Sequence, residues 1–145
     1  MKPLDEQDRI SFEFGAILRL LSATDRRDLR LGSIEAQLIQ PIRLRQVEIV
    51  YGARQLPLAY ASWAFVTEEV ATRLAADPEF LLHPSEWNEG TLLWIMDFVA
   101  LRSRALPLAR ALRTRLSARH RSVFGRRRPF GTSGYLHLRP LLAFG

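Results

Sequence analysis

The amino-acid sequence predicts an α+β (α/β) fold, a mixed, largely antiparallel sheet flanked by helices, on three observations. Residues 8–21 repeat their apolar side chains with a helical period, residues 46–65 alternate as strands do, and residues 91–101 form a nearly unbroken apolar run. At 145 residues, 48% hydrophobic and 25% charged, the chain is expected to form one domain over residues 1–145.

Each element follows from local chemistry. Ile10, Phe12, Phe14, Ile17, Leu18, Leu20 and Leu21 give the first helix its apolar face. Residues 22–28 are polar and predict a loop, and residues 33–38 predict a short helix that stops near Pro41. Residues 46–51 and 58–65 predict two strands joined by a turn at 52–55, an antiparallel hairpin. Thr67 is placed to cap a helix that runs to about Ala76, with Glu68 and Glu69 favourable in its first turn. After a loop through Gly90, residues 91–101 predict a buried central strand interrupted by one carboxylate, Asp97. Pro107 to Arg119 fits an amphipathic helix with Leu108, Leu112 and Leu116 on one face, and short strands are expected at 122–124 and 135–138.

Charge is distributed unevenly. All fifteen carboxylates lie at or before Asp97, so residues 1–97 carry −5, whereas residues 98–145 hold eleven arginines and no acid. This basic C-terminal third attracts an anionic partner or neutralises the acidic part of the same chain. No apolar run reaches the ~20 residues of a membrane span. The opening Met1-Lys2-Pro3-Leu4-Asp5-Glu6 lacks the apolar core of a secretory signal, so a cytoplasmic location is expected. The absence of cysteine excludes disulfides and thiolate chemistry.

Other chemistries leave no trace. His83, His120 and His137 are too scattered for a helical metal pair, and no bound cofactor or metal is expected. There is no phosphate loop, and Ser62 lacks the glycines of a nucleophile elbow. Arg128-Pro129-Phe130-Gly131-Thr132-Ser133 is only a short near miss to a coenzyme A loop. Asp97 is the most suggestive residue: a carboxylate in an apolar strand is either a structural acid paired with an arginine or a functional group.

Pro57-Leu58-Ala59-Tyr60-Ala61-Ser62-Trp63-Ala64 resembles the proline-valine-alanine-tyrosine-cysteine-serine-tryptophan-alanine stretch of the hemolysin-activating lysine acyltransferases. Glu86-Trp87-Asn88-Glu89-Gly90 and Trp94-Ile95-Met96-Asp97-Phe98-Val99-Ala100 resemble two further motifs of that toxin-activating family at matching spacing. Gly15 and Pro41 also fit without a gap, so the resemblance covers about Phe14 to Ala100 and continues more weakly through 110–131.

The resemblance implies a fold like that of the general N-acetyltransferases. It also implies transfer of a fatty acyl group from acyl carrier protein to internal lysines of a repeat-containing toxin. The family uses a histidine and an aspartate. Asp97 takes the aspartate position, whereas the ungapped register sets Arg27 at the histidine and Thr24 at a nearby serine. An arginine stays protonated and cannot act as a general base, so His120 or His137 replaces it only if the fold brings one to Asp97. Trp63 and Trp94, from the tryptophan motifs, and Arg110 and Arg113, from the basic third, are the candidates for substrate contacts.

The partners implied are acyl carrier protein and a protein substrate, with a homodimer suggested by the family. Nucleic acid is not the expected partner, because no recognisable module accompanies the charge. The alternative is an inactive family member that serves as a binding or assembly subunit, in peripheral contact with a membrane complex.

Overall fold

A computed structural model describes residues 2–24, 26–77, 80–116, 123–125 and 135–137. Helix α1, Glu6–Ser22, opens on Asp5, whose carboxylate accepts the Asp8 N–H at 2.7 Å. It buries Ile10, Ile17, Leu20 and Leu21. Helix α2, Leu31–Arg43, does not stop before Pro41 but runs through it. Proline there removes one hydrogen bond in the last turn, while Gln46 N–H still reaches Pro41 O at 2.8 Å and Arg45 N–H reaches Ile42 O at 3.1 Å. That pattern is a Schellman closure, with Arg45 at φ 56° in the position usually given to glycine.

The hairpin forms as expected. Strand β1, Val47–Tyr51, pairs antiparallel with β2, Pro57–Val66, around a short 3₁₀ turn at Ala53–Gln55. Helix α3, Glu68–Ala76, begins at Thr67, whose hydroxyl accepts the Val70 N–H at 3.2 Å. Strand β3, Leu92–Leu101, pairs antiparallel along β2 and is the centre of the five-stranded sheet. Its other edge is shared: β4, Val123–Gly125, runs parallel beside Leu93–Ile95, and β5, Tyr135–His137, runs antiparallel beside Val99–Leu101. Helix α4, Arg102–Leu116, follows β3 directly and holds Pro107 in its interior instead of starting there. The burial of Leu108, Leu112 and Leu116 against the sheet carries the helix past the lost bond. The fold is α+β, a mixed and largely antiparallel sheet flanked by helices, as the sequence predicts and consistent with an acetyltransferase-like fold.

Strand alternation divides the core. Tyr60 and Val99 point to the face covered by α1 and α2, and Ala64, Val66 and Trp94 continue that face toward α3. Ala59, Ala61, Trp63, Ile95 and Phe98 point the other way, against α4. Arg115 ties α4 to the sheet: it donates to Arg45 O at 2.9 Å and Val47 O at 3.0 Å, pairs with Glu48, and stacks 5.0 Å from the Trp63 ring. Arg115→Ala is therefore expected to cost about 1–2 kcal/mol in urea denaturation, mostly through the carbonyl bonds and the aromatic contact. No loss of stability would show that these contacts are replaced by water without consequence.

Candidate active site

Asp97 lies where the β2–β3 ladder slips. Ser62 pairs with Asp97 and Trp63 with Ile95, so Met96 is the extra residue of a bulge. The slip leaves Met96 and Asp97 on one face, where both line a cavity of about 330 Å³. Tyr60 and Ser62 complete the floor. One wall is α2, through Ala36, Gln37 and Leu38; the other is the segment from Phe80 to Trp87.

The second half of that wall is fixed twice. The His83 N–H donates to Glu86 Oε1 at 2.8 Å, and the Glu86 N–H returns to His83 O at 2.8 Å. The buried Gln46 amide then donates to Trp63 O at 2.9 Å and Trp87 O at 3.0 Å, clamping the wall to the sheet. Trp87 is buried, and its indole N–H has no hydrogen-bond partner among the described residues.

Asp97 Oδ2 accepts from both the Arg26 guanidinium and the Tyr60 hydroxyl, while Oδ1 accepts the Phe98 N–H at 3.1 Å. Burial disfavours the Arg26 charge, but the facing Asp97 carboxylate, helped by the Tyr60 oxygen, outweighs it and raises the pKa of the guanidinium. Burial likewise pushes the Tyr60 phenol well above its usual 10, with Asp97 adding in the same direction and Arg26 opposing. The result is a charged pair and a neutral phenol, all hydrogen-bonded, beside an apolar cavity.

The turn after α1 explains why Arg26 makes the pair. Thr24 is buried outside the cavity; its hydroxyl donates to Leu21 O at 2.7 Å and accepts the Arg26 N–H at 3.1 Å. This small turn presents Arg26 to Asp97 and leaves Arg27 exposed. The arginine on the aspartate is thus one residue earlier than the position the ungapped register assigns.

The other candidates are not gathered at Asp97. Trp94 is buried toward α3, and Trp63 is buried on the opposite face, where it borders a separate depression with Phe65 and Arg115. Arg110 and Arg113 are exposed on α4, across the sheet from the cavity. His120 lies outside the described residues, and of His137 only the backbone in β5 is described. Tyr60 and His83 were not singled out by sequence reasoning. Tyr60 had a signal, since a buried phenol in a strand needs a partner and Asp97 is the nearby carboxylate of the next strand.

The RTX toxin acyltransferase family (HlyC) matches residues 7–128, a span that contains the cavity floor and both its walls. The chain belongs to this family. Protein-lysine palmitoyltransferase CyaC of Bordetella bronchiseptica is 34% identical over 100 residues, covering 69% of the chain, and the protein of the same name from Bordetella parapertussis matches equally. The chain spans about half the length of these relatives, 52% in each case. Within this acyltransferase frame the Asp97 cavity is the candidate reaction site. Among the described residues, no helix is long and apolar enough to cross a membrane, and no group of three or more acidic or histidine side chains could hold a metal.

Tyr60→Phe is expected to cost about 1–3 kcal/mol, because it takes one donor from the buried Asp97. Its effect on pH dependence has a definite sign. The folded protein keeps the Tyr60 proton above the pH of about 10 at which an exposed phenol loses it. The stability contributed by the neutral phenol is intact below that pH and declines as pH rises toward the folded pKa, by up to about 1.4 kcal/mol per pH unit. Tyr51, also raised by burial, adds its own share. Urea midpoints measured from pH 9 to 11 should fall less steeply in Tyr60→Phe than in wild type; equal slopes would contradict the assignment.

Proposed function

We propose that this chain is a protein-lysine acyltransferase that moves a fatty acyl group from an acyl carrier protein thioester to internal lysines of a repeat-containing toxin. The observation that carries this reading is Asp97, held by Arg26 and Tyr60 on the floor of a mostly apolar cavity inside the family match. Aminolysis of a thioester needs a neutral lysine amine held near the carbonyl and a group that receives its proton. Asp97 orients the polar end of the cavity, and the apolar wall at Phe80–Leu82 suits the first carbons of an acyl chain. The basic C-terminal third favours encounter with an acidic carrier; Arg110 and Arg113, lying across the sheet, contribute to that encounter and not to contact with the carbonyl. On this reading residues 1–145 act as one acyltransferase domain in the cytoplasm, without a bound cofactor.

The test uses palmitoyl-acyl carrier protein first, because the matched relatives are protein-lysine palmitoyltransferases. Purified protein, donor and a lysate of the source organism are incubated, and new acyl-lysine is sought by mass spectrometry, with other chain lengths in parallel. Modification that is lost in Asp97→Asn supports the reading. A folded wild type that leaves the intact thioester untouched favours the second reading, a binding subunit, for which the Arg26–Asp97 ion pair is the specific observation.

A further inference from the structure

The floor of the Asp97 cavity holds a polar side chain that the ion-pair network does not use. Ser62 is 2% exposed, lines the cavity and has no hydrogen-bond partner among the described residues. Leaving a buried hydroxyl unpaired costs about 1–3 kcal/mol. Alanine, nearly the same shape, would escape that cost, and Ala59, Ala61 and Ala64 fill nearby buried positions of the same strand. Ser62 lies directly opposite Asp97 in the β2–β3 ladder, where partner Cβ atoms stand about 5 Å apart, and shares a face with Tyr60 two residues earlier. The backbone just beyond it is fixed: the Trp63 N–H donates to Gln46 O at 3.1 Å, and Gln46 Nε2 donates back to Trp63 O at 2.9 Å. The result is an unpaired hydroxyl held beside a carboxylate in a mostly apolar space.

We infer that the Ser62 hydroxyl donates a hydrogen bond to the thioester carbonyl oxygen during acyl transfer and stabilises the negative charge that develops there. Aminolysis creates two charges close together, a positive one on the attacking amine and a negative one on the carbonyl oxygen. The Asp97 carboxylate attracts the first, and the hydroxyl beside it serves the second. In the step, the lysine nitrogen forms a bond to the carbonyl carbon, and the π pair of the carbonyl moves onto its oxygen, against the Ser62 O–H. As that pair returns, the carbon–sulfur bond breaks. The proton shed by the amine ends on the departing sulfur, giving an amide and a free carrier thiol. Ser62 keeps its own proton throughout, so no acyl-serine forms. A donor fixed on the central ladder before the reaction needs no reorganisation, and among apolar neighbours such as Leu38, Leu82 and Met96 it counts for more than it would in water.

This inference rests on the acyltransferase reading, and one experiment separates the two. Wild type, Ser62→Ala and Ser62→Cys are assayed with palmitoyl-acyl carrier protein as the varied substrate and the protein modified in the lysate as acceptor, following release of the carrier thiol. Urea midpoints and intact masses are measured alongside. Ser62→Ala is expected to lower kcat by about 10²–10³-fold with KM for the donor little changed, because the bond strengthens only as charge develops. Its urea midpoint should hold or rise, since an unpaired buried hydroxyl has been removed. Ser62→Cys, a weaker donor of similar size, should fall between the two. Ser62→Ala with wild-type kcat would overturn the inference and leave the acyltransferase reading standing. So would a fall in kcat matched by lost stability, which makes Ser62 a packing residue, or a raised KM with kcat unchanged, which makes it a ground-state contact. An acyl adduct on Ser62 of the wild type would also overturn it, in favour of a nucleophile. A wild type without transfer would remove both readings.

Discussion

Asp97→Ala is expected to destabilise the fold by about 3–5 kcal/mol, since removing one member of a buried pair strands the other, and on the proposed acyltransferase reading it abolishes transfer as well. The Arg26 side chain is 22% exposed, which places the cost nearer the lower figure. The wholly buried Tyr60 hydroxyl loses its acceptor at the same time. The two losses share one oxygen and do not add. The decisive comparison is with Arg26→Met combined with Asp97→Ala. Removing both charges should cost less than removing the acid alone, because no uncompensated guanidinium is left behind. Urea denaturation of the two proteins reads this directly, and a double variant at least as unstable as the single one would sink the account. Asp97→Asn should fall between wild type and Asp97→Ala, which makes it the better control for chemistry.

The second large effect is steric. A Cβ on Gly90 would sit 2.0 Å from the carbonyl carbon and oxygen of Val66 and 2.3 Å from the Thr67 nitrogen. All three are backbone atoms, so no side chain can swing aside. The Glu89 and Gly90 N–H groups both donate to Phe65 O at 3.0 Å, which holds the chain against the end of β2. Gly90→Ala must break that contact, move the start of β3, or shift the Thr67 cap of α3. A cost of about 3 kcal/mol or more is expected, at the upper end of overpacking penalties. Thermal unfolding measures it; an alanine variant that melts with wild type would show that this segment yields freely.

Much of the architecture was legible because it is written in short-range periodicity. The hairpin, the Thr67 cap and the apolar β3 follow from neighbours in sequence. Pro41 and Pro107 misled because proline ends helices by local rules, whereas here packing of Leu38 and Ile42, and of Leu108 and Leu112, outweighs one missing bond in each helix. Asp97 was legible as a carboxylate out of place in its strand. Its partners were not: the Thr24 turn that selects Arg26 over Arg27 is a matter of one hydroxyl's geometry. Trp63 and Trp94 share a motif-like context, yet the Met96 bulge fixes a register in which they lie on opposite faces. That His83 lines the same cavity as Asp97 follows only from two distant segments folding together.

The Arg26–Asp97 pair spans 71 positions of chain. Closing a flexible loop of that length costs about 4 kcal/mol of entropy by the logarithmic rule, apart from a constant. A single ion pair does not offset this and cannot nucleate folding. The pair can form only after the β2–β3 ladder has drawn its two ends together, so contact order places assembly of the candidate site late. During synthesis the α1 turn and the β1–β2 hairpin emerge well before Asp97, and they wait as a scaffold without chemistry. An unfinished or prematurely released chain therefore lacks the Asp97 network.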